Sequence, residues 1–199
     1  GLQMHHPGVT IKFRNIALKR LTEMPECEKG WRSIFNGEDL TGWTVRGKAK
    51  WEVKDGVLVG TGGMGHIYYT AETFKDFEMR AMIRINKDGN SGFYFRCRPP
   101  ENNIDGWPVG YECHVDNHDP NNYTGAVYGK QNVKELITRD ETWFSERVRV
   151  QGDHIQTWVN GMLETDFTDG EFKDGYIALQ GHDPSIVVEY RDIMVRPLD

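Results

Sequence analysis

The sequence has 199 residues and a formal charge of −6, which is enough chain for one large domain, or one domain with an extension. Its 24 Lys and Arg are scattered, which argues against a nucleic-acid footprint, and no apolar run approaches the ~18–20 residues of a membrane span. Twenty-two glycines and 12% aromatic residues suit many short strands joined by tight turns.

The chain starts with a repeat. Residues 2–21, LQMHHPGVTIKFRNIALKRL, align without a gap on residues 179–198, LQGHDPSIVVEYRDIMVRPL. The identities include Gln3/Gln180, His5/His182, Pro7/Pro184 and Arg14/Arg191. Near-domain spacing predicts a tandem array. Residues 1–21 read as the closing strand of an upstream homologous domain, 22–30 (TEMPECEKG) as a linker, and 31–199 as one domain. The N-terminal copy has an apolar side with Ile11 and Phe13. It is expected to meet an upstream domain, a sheet edge or a second chain. No apolar signal segment opens the sequence.

Next comes WRSIFNGEDLTGWTVRG, with a turn at Asn36-Gly37, and then WEVKDGVLVG, whose Asp55-Gly56 predicts a type I′ hairpin. Further strands are expected over His66–Tyr69, Phe77–Ile85, Gly92–Arg98, Gly110–Asp116, Gly125–Gly129, Glu146–Gln151, His154–Asn160, Gly175–Gln180 and Ile186–Val195. Gly152-Asp153 and Asn160-Gly161 mark hairpins. Asn132–Thr138 reads as a short helical turn. About ten short strands with frequent turns imply an all-β fold, an antiparallel two-sheet jelly-roll sandwich. Trp31, Trp43 and Trp51 are expected to pack in the core or at its rim. Of the three cysteines, Cys97 and Cys113 lie in strands, as small core residues or as a disulfide if those strands are neighbours; Cys27 lies in the linker.

Strand alternation assigns faces. In FYFRCR, Phe93, Phe95 and Cys97 share one side, and Tyr94, Arg96 and Arg98 the other. In YECHVD, Glu112, His114 and Asp116 oppose the apolar set. Gln180 opposes Leu179, and His182 rejoins Gln180's face if its strand runs on. These polar sets, with Tyr128 and Lys130 beyond them, predict one chemically active outward sheet face. Trp107, in the Gly/Pro loop NNIDGWPVG, is a candidate sugar platform. Glu112 and Asp116 are not spaced as a glycosidase pair. Four residues of strand put their backbones ~13 Å apart, against ~5–9.5 Å between carboxyls in glycosidases. His114 between them suggests proton transfer near neutral pH. No metal ligand set is assigned. The loops 117–122 and 182–184 are rich enough in oxygen for Ca²⁺, although such sequences are more often ordinary Asx and Pro turns.

IFNGEDLTGW, WEVKDGVLVG, GNSGFYFR, GYECHVDN, TGAVYG, HIQTWVNG and GYIALQGHDPSIVVEYRDIMVRPL, in this order, resemble the signatures of the 3-keto-disaccharide hydrolase family over residues 31–198. The resemblance implies a concanavalin A-like jelly roll of the lectin/glucanase type. It also implies a periplasmic or extracellular bacterial protein acting on an oligosaccharide or glycoside without a required cofactor. It further implies cleavage of glycosides oxidised at C3. There the keto group acidifies the C2 proton, so one base can start elimination at C1 and water completes net hydrolysis. Chemistry and strand parity assign His114 or Glu112 as base, Arg96 as enolate stabiliser, and Tyr128 or His182 as acid. Gln180, Asp116, Tyr94, Trp107, Arg98 and Lys130 are expected to bind the sugar. The alternatives are a non-catalytic carbohydrate-binding module and a purely structural β-sandwich, because fold alone does not decide.

Overall fold

The structure, a computed structural model, describes residues 29–103 and 105–198. The N-terminal repeat, most of the linker and Cys27 lie outside the described residues. In chain order the strands are β1 (Arg32–Ser33), β2 (Trp43–Gly47), β3 (Lys50–Lys54), β4 (Val57–Thr61), β5 (Gly65–Phe74), β6 (Phe77–Ile85) and β7 (Asn90–Arg98). They continue as β8 (Val109–Asp116), β9 (Phe144–Gln151), β10 (His154–Val159), β11 (Met162–Thr168), β12 (Gly175–Gly181) and β13 (Val187–Pro197). All strand pairings are antiparallel. One sheet has the order β11-β10-β9-β6-β13-β4-β3, with β1 also on β13; the other is β2-β5-β12-β7-β8.

Turn chemistry sets the hairpins. Asp55 and Gly56 have φ of 50° and 78°, and Asn160 and Gly161 have 51° and 79°, the doubly positive pattern of type I′ turns. The expected strand at Gly125–Gly129 is reduced to bridges from Val127 to Cys113 and Gln131. Asn132–Thr138 forms no helix; the segment has no sustained 3.6-residue apolar period to hold one.

The apolar faces of both sheets meet in one core that includes Phe77, Met79 and Ile83 from one sheet and Phe93, Phe95 and Leu179 from the other. Trp31, Trp43 and Trp51 are buried, and Trp43 Nε1 donates to Ile34 O at 2.8 Å. Across the core, the Ser91 hydroxyl lies 2.8 Å from the Tyr190 hydroxyl. Cys97 and Cys113 are buried free thiols.

A β-bulge between Phe95 and Arg98 changes the expected parity of β7. Arg96 adopts φ 47°, and the extra residue shifts every side chain after it to the opposite face. Cys97 thereby joins Tyr94, Tyr68 and Ala178 on the outer face, instead of siding with Phe93 and Phe95. Arg96 leaves that face and turns inward.

Candidate functional site

The outer face of the five-stranded sheet is the floor of a cavity of about 400 Å³, lined by Asn90, Tyr94, Trp107, Pro108, Gly110, Glu112, His114, Tyr128, Gln180 and His182. That volume falls within the range of small-molecule sites. Alternation along β7, β8 and β12 puts Tyr94, Glu112, His114 and Gln180 on the floor. The walls come from Trp107 and Pro108 before β8, Tyr128 after it, and His182 just beyond β12. The outward face is covered: His114, Gln180, Tyr94 and Asp116 are all buried.

Three side chains form a directed hydrogen-bond chain. Gln180 Nε2 donates to the Tyr94 hydroxyl at 2.8 Å, and that hydroxyl donates to Glu112 Oε2 at 2.7 Å. Glu112 Oε1 lies 3.9 Å from His114 Nε2. Gly92, the register partner of His114, supplies the space: a Cβ there would sit 2.4 Å from Glu112 Oε1. His114 Nδ1 meets Asn122 O at 2.6 Å. Because a carbonyl only accepts, Nδ1 carries the proton, and Nε2 is left as the basic nitrogen of the neutral ring.

Burial separates the two titrating groups. It pushes the Glu112 carboxyl up to about 8, partly offset by the Tyr94 hydrogen bond. It pushes His114 below its ordinary value, against opposing effects from Asn122 O, Asp116 and Asp119. Near pH 7 the carboxyl therefore holds its proton while the imidazole lacks one, so an acid and a base stand side by side. Burial and then Glu112 raise the Tyr94 phenol far above its usual range, so it remains a donor.

His66 was absent from the sequence-based site, yet it belongs here. It is buried at the register partner of Gln180, with its ring 5.5 Å from Tyr94 and 5.8 Å from Trp107. Burial, then His182, lower its pKa to about 4. Strand parity could have found it, since His66 and Tyr68 alternate with Ile67 and Tyr69. Asn90, also missed, donates to Asp116 Oδ2 at 3.0 Å. Trp107 is half exposed and packs on His182 at 5.4 Å, which suits the rim position expected of a platform. Tyr128 is half exposed, 5.2 Å from the His114 ring.

Four predicted residues do not line the cavity. Arg96 is 1% exposed and lies at the opposite end of β7 from Asn90. It donates to Lys75 O, Gly152 O, Phe172 O and Asp76 Oδ1 at 2.7–3.0 Å. The bulge aims it at those turns, so it cannot reach an enolate beside His114. Arg98 is exposed and paired with Asp174. Lys130 is held by Asp169 at 2.9 Å and Glu171 at 2.5 Å. Asp116 builds the next loop, accepting from the backbone of His118 and Asp119 at 2.6 and 3.2 Å.

Asp119 accepts from Asn121 N and Asn122 Nδ2, and Asp183 accepts from Ser185. These are Asx-turn bonds. Asp88, His118 and Asp140 bring ligand-type atoms within 4.8 Å of one another, with His118 Nε2 on Asp140 Oδ2 at 2.8 Å. This pinning holds the loop that carries Asn122.

Residues 30–196 match the sequence profile of the 3-keto-alpha-glucoside-1,2-lyase-like domain. The chain is 28% identical over 131 residues to the 3-keto-disaccharide hydrolase of Bacteroides thetaiotaomicron, covering 57% of this chain and 45% of that one. It thus spans less than half the length of that curated relative. In structure it resembles a Parabacteroides distasonis protein assigned by name to the glycosyl hydrolases, with TM-score 0.77, 23% identity, and coverage of 89% of this chain and 99% of that one. It also resembles a carbohydrate binding module from Bacillus subtilis, with TM-score 0.59, 16% identity, and coverage of 78% and 95%. These structural likenesses establish the jelly-roll sandwich.

Proposed function

The chain belongs to the 3-keto-alpha-glucoside-1,2-lyase-like domain family, and we propose that it cleaves glycosides oxidised at C3, with His114 as base and Glu112 as acid. The observation that carries this reading is the pair itself, 3.9 Å apart in a covered cavity, with protonation states biased in opposite directions. Glu112 is the one carboxylate among the described lining residues. Direct glycoside hydrolysis ordinarily uses two, whereas elimination next to a ketone needs one base and one donor to the enolate oxygen.

In this mechanism His114 Nε2 takes the C2 proton. The C2–H electrons form the C2=C3 bond, and the former carbonyl oxygen carries the charge. Glu112 Oε1–H donates to that oxygen, the role first assigned to Arg96; a carboxylic acid kept neutral by burial is suited to it. The enolate then re-forms the ketone, the C1–O bond breaks with a C1=C2 bond left behind, and Tyr128 or His182 at the rim protonates the departing oxygen. Water adds its hydroxyl at C1, and C2 regains the proton held by His114. Net hydrolysis results, and the rim acid is reprotonated from water.

The half-exposed Trp107 favours a second reading, a carbohydrate-binding module. One experiment separates the two. The protein is incubated with a 3-keto-glucoside and with the matched unoxidised glucoside, and the products are analysed. Release of the C1 substituent from the keto compound alone is expected. Binding of both without release would make the chain a binding module, and cleavage of the unoxidised glycoside would overturn the elimination route.

A further inference from the structure

Tyr94 and Gln180 line the cavity, which suggests that they touch sugar. Their polar atoms are already committed elsewhere. Both side chains are buried, and they sit on adjacent strands with Ala178 of β12 paired to Tyr94. A side-chain amide nitrogen can only donate. With Gln180 Nε2 on the Tyr94 oxygen at 2.8 Å, the phenol proton must point elsewhere, and Glu112 Oε2 lies 2.7 Å away to receive it. Directionality then passes along the chain: Oε2 accepts, and because the carbonyl oxygen of a carboxylic acid is a better acceptor than its hydroxyl oxygen, the carboxyl proton is biased to Oε1.

We propose that Gln180 and Tyr94 are positioning residues that hold Glu112 Oε2 as an acceptor, so that the carboxyl proton sits on Oε1, the oxygen facing His114. This rests on the reading of Glu112 as the acid and adds what aims it. Without the relay the proton would divide between two oxygens, one of them turned away from the reacting atoms. The relay stops at Gln180, whose Oε1 makes no hydrogen bond among the described residues.

Several groups surround Glu112. His114 lies on its own strand, and Tyr94 and Cys97 are on the cavity face of β7. Gln180 and His182 come from β12 and its end, His66 from β5, and Tyr128 from the following loop. Glu146 of β9 is buried in the sandwich, where its own pKa is raised by burial and, to a lesser degree, by Glu112. No Lys or Arg is among the described lining residues, so hydrogen-bond polarity is the main stabiliser of the carboxylate.

The test is the ¹³C titration of the Glu112 carboxyl in the full chain, assigned by its loss in Glu112→Gln. In Tyr94→Phe the carboxylate loses its donor. Its midpoint should move upward by about one pH unit, the worth of one hydrogen bond to a charged group. Gln180→Met should move it the same way by less, because Tyr94 still donates but is no longer polarised. With the reverse polarity, where Glu112 donates to Tyr94, Tyr94→Phe would lower the midpoint. A downward or unchanged midpoint in Tyr94→Phe overturns the proposal. If Tyr94→Phe does not fold, an unchanged or lowered midpoint in Gln180→Met overturns it instead. The alkaline limb of kcat separates this inference from the assigned function. A carboxyl midpoint that rises while that limb stays fixed upholds the relay and removes Glu112 as the acid.

Discussion

The two sheets treat their outer acidic residues in opposite ways. On the larger sheet Glu78 is 2% exposed, yet Arg147 Nη2 reaches it at 2.6 Å and Arg196 also bonds to it. The neighbouring guanidiniums lie over indoles: Arg80 over Trp31 at 4.4 Å, Arg147 over Trp158 at 4.5 Å, and Arg191 over Trp143 at 4.4 Å. On the smaller sheet the Glu112 side chain is 12% exposed, and among the described residues its polar neighbours are a phenol and an imidazole. A buried carboxylate with cations around it is settled in one charge state, whereas one without them can exchange a proton. In a fold whose two outer faces both carry acidic residues, chemistry is to be sought where the charge is left uncompensated.

The largest expected effect tests the uncompensated side. His114→Asn keeps an N–H that can reach Asn122 O and removes the base. Turnover of a 3-keto-glucoside should fall about 10²–10⁴-fold, with the fold intact by circular dichroism. The side chain is buried, so an Ala variant would lose stability as well and give a less clean answer. Near-normal turnover in folded His114→Asn would end its role as base.

Arg96→Met tests the opposite claim, that the most buried cation is structural. It removes the guanidinium from three carbonyls and from Asp76, which among the described residues keeps only the Gly152 N–H, and breaking such a set costs about 3–5 kcal/mol. Chemical denaturation should show a loss of that order, while the fraction still folded keeps its kcat. A stable protein with reduced kcat would return Arg96 to the site.

Glu112→Gln sharpens the comparison through pH. The folded carboxyl titrates near 8, above its unfolded value. Stability is therefore fully present below the unfolded value and is lost as pH rises through about 8. The neutral amide does not carry that loss. At pH 9 the variant should be more stable than the parent by several kcal/mol, with the difference fading toward pH 4. The parent's kcat should fall above about pH 8 as the acid ionises, and on the acid side only below the ordinary imidazole range, because His114 is lowered. Equal stabilities at pH 9 would contradict the raised carboxyl.

The fold was legible because its signals are local. Alternation marked most of the strands, and Asp55-Gly56 and Asn160-Gly161 marked two turns with both φ values positive. The floor of the site was legible for the same reason: Tyr94, Glu112, His114 and Gln180 follow from parity alone. Arg96 and Arg98 were misplaced because a bulge changes parity from within, and nothing in FYFRCR announces where the extra residue falls. Lys130 was misplaced because a residue in a loop has no parity to read. His66 was missed because parity gives its face but not its neighbours, β5 meeting β12 more than a hundred residues later; Asn90 was missed because the expected strand began at Gly92, whereas β7 starts at Asn90.

Gly92→Ala asks how closely Glu112 is held. The new Cβ would lie 2.4 Å from Oε1, so the carboxyl must leave its present position beside His114. The backbone at Gly92 is not in the left-handed region, which removes strain as a competing cause. Turnover should drop about tenfold, the effect of misplacing a reacting group by a fraction of an ångström to 1 Å, with little change in melting temperature. Unchanged kcat would mean that the 3.9 Å spacing is not needed.

The smallest expected effect concerns Arg98 and bounds the site along β7. Its ion pair with Asp174 joins side chains that are 54% and 48% exposed, and such pairs are worth ~0–1 kcal/mol. The residue lies beyond the bulge and outside the cavity lining. Arg98→Ala should thus leave both melting temperature and kcat/KM for a simple 3-keto-glucoside within experimental scatter. The comparison becomes informative with longer substrates. If kcat/KM for an oligosaccharide falls several-fold in Arg98→Ala while the simple glucoside is unaffected, the sugar chain runs from the cavity along β7 towards the Asp174 edge. If both substrates are unaffected, recognition ends at the walls made by Trp107, Tyr128 and His182, and the second half of β7 serves only to hold the sandwich together.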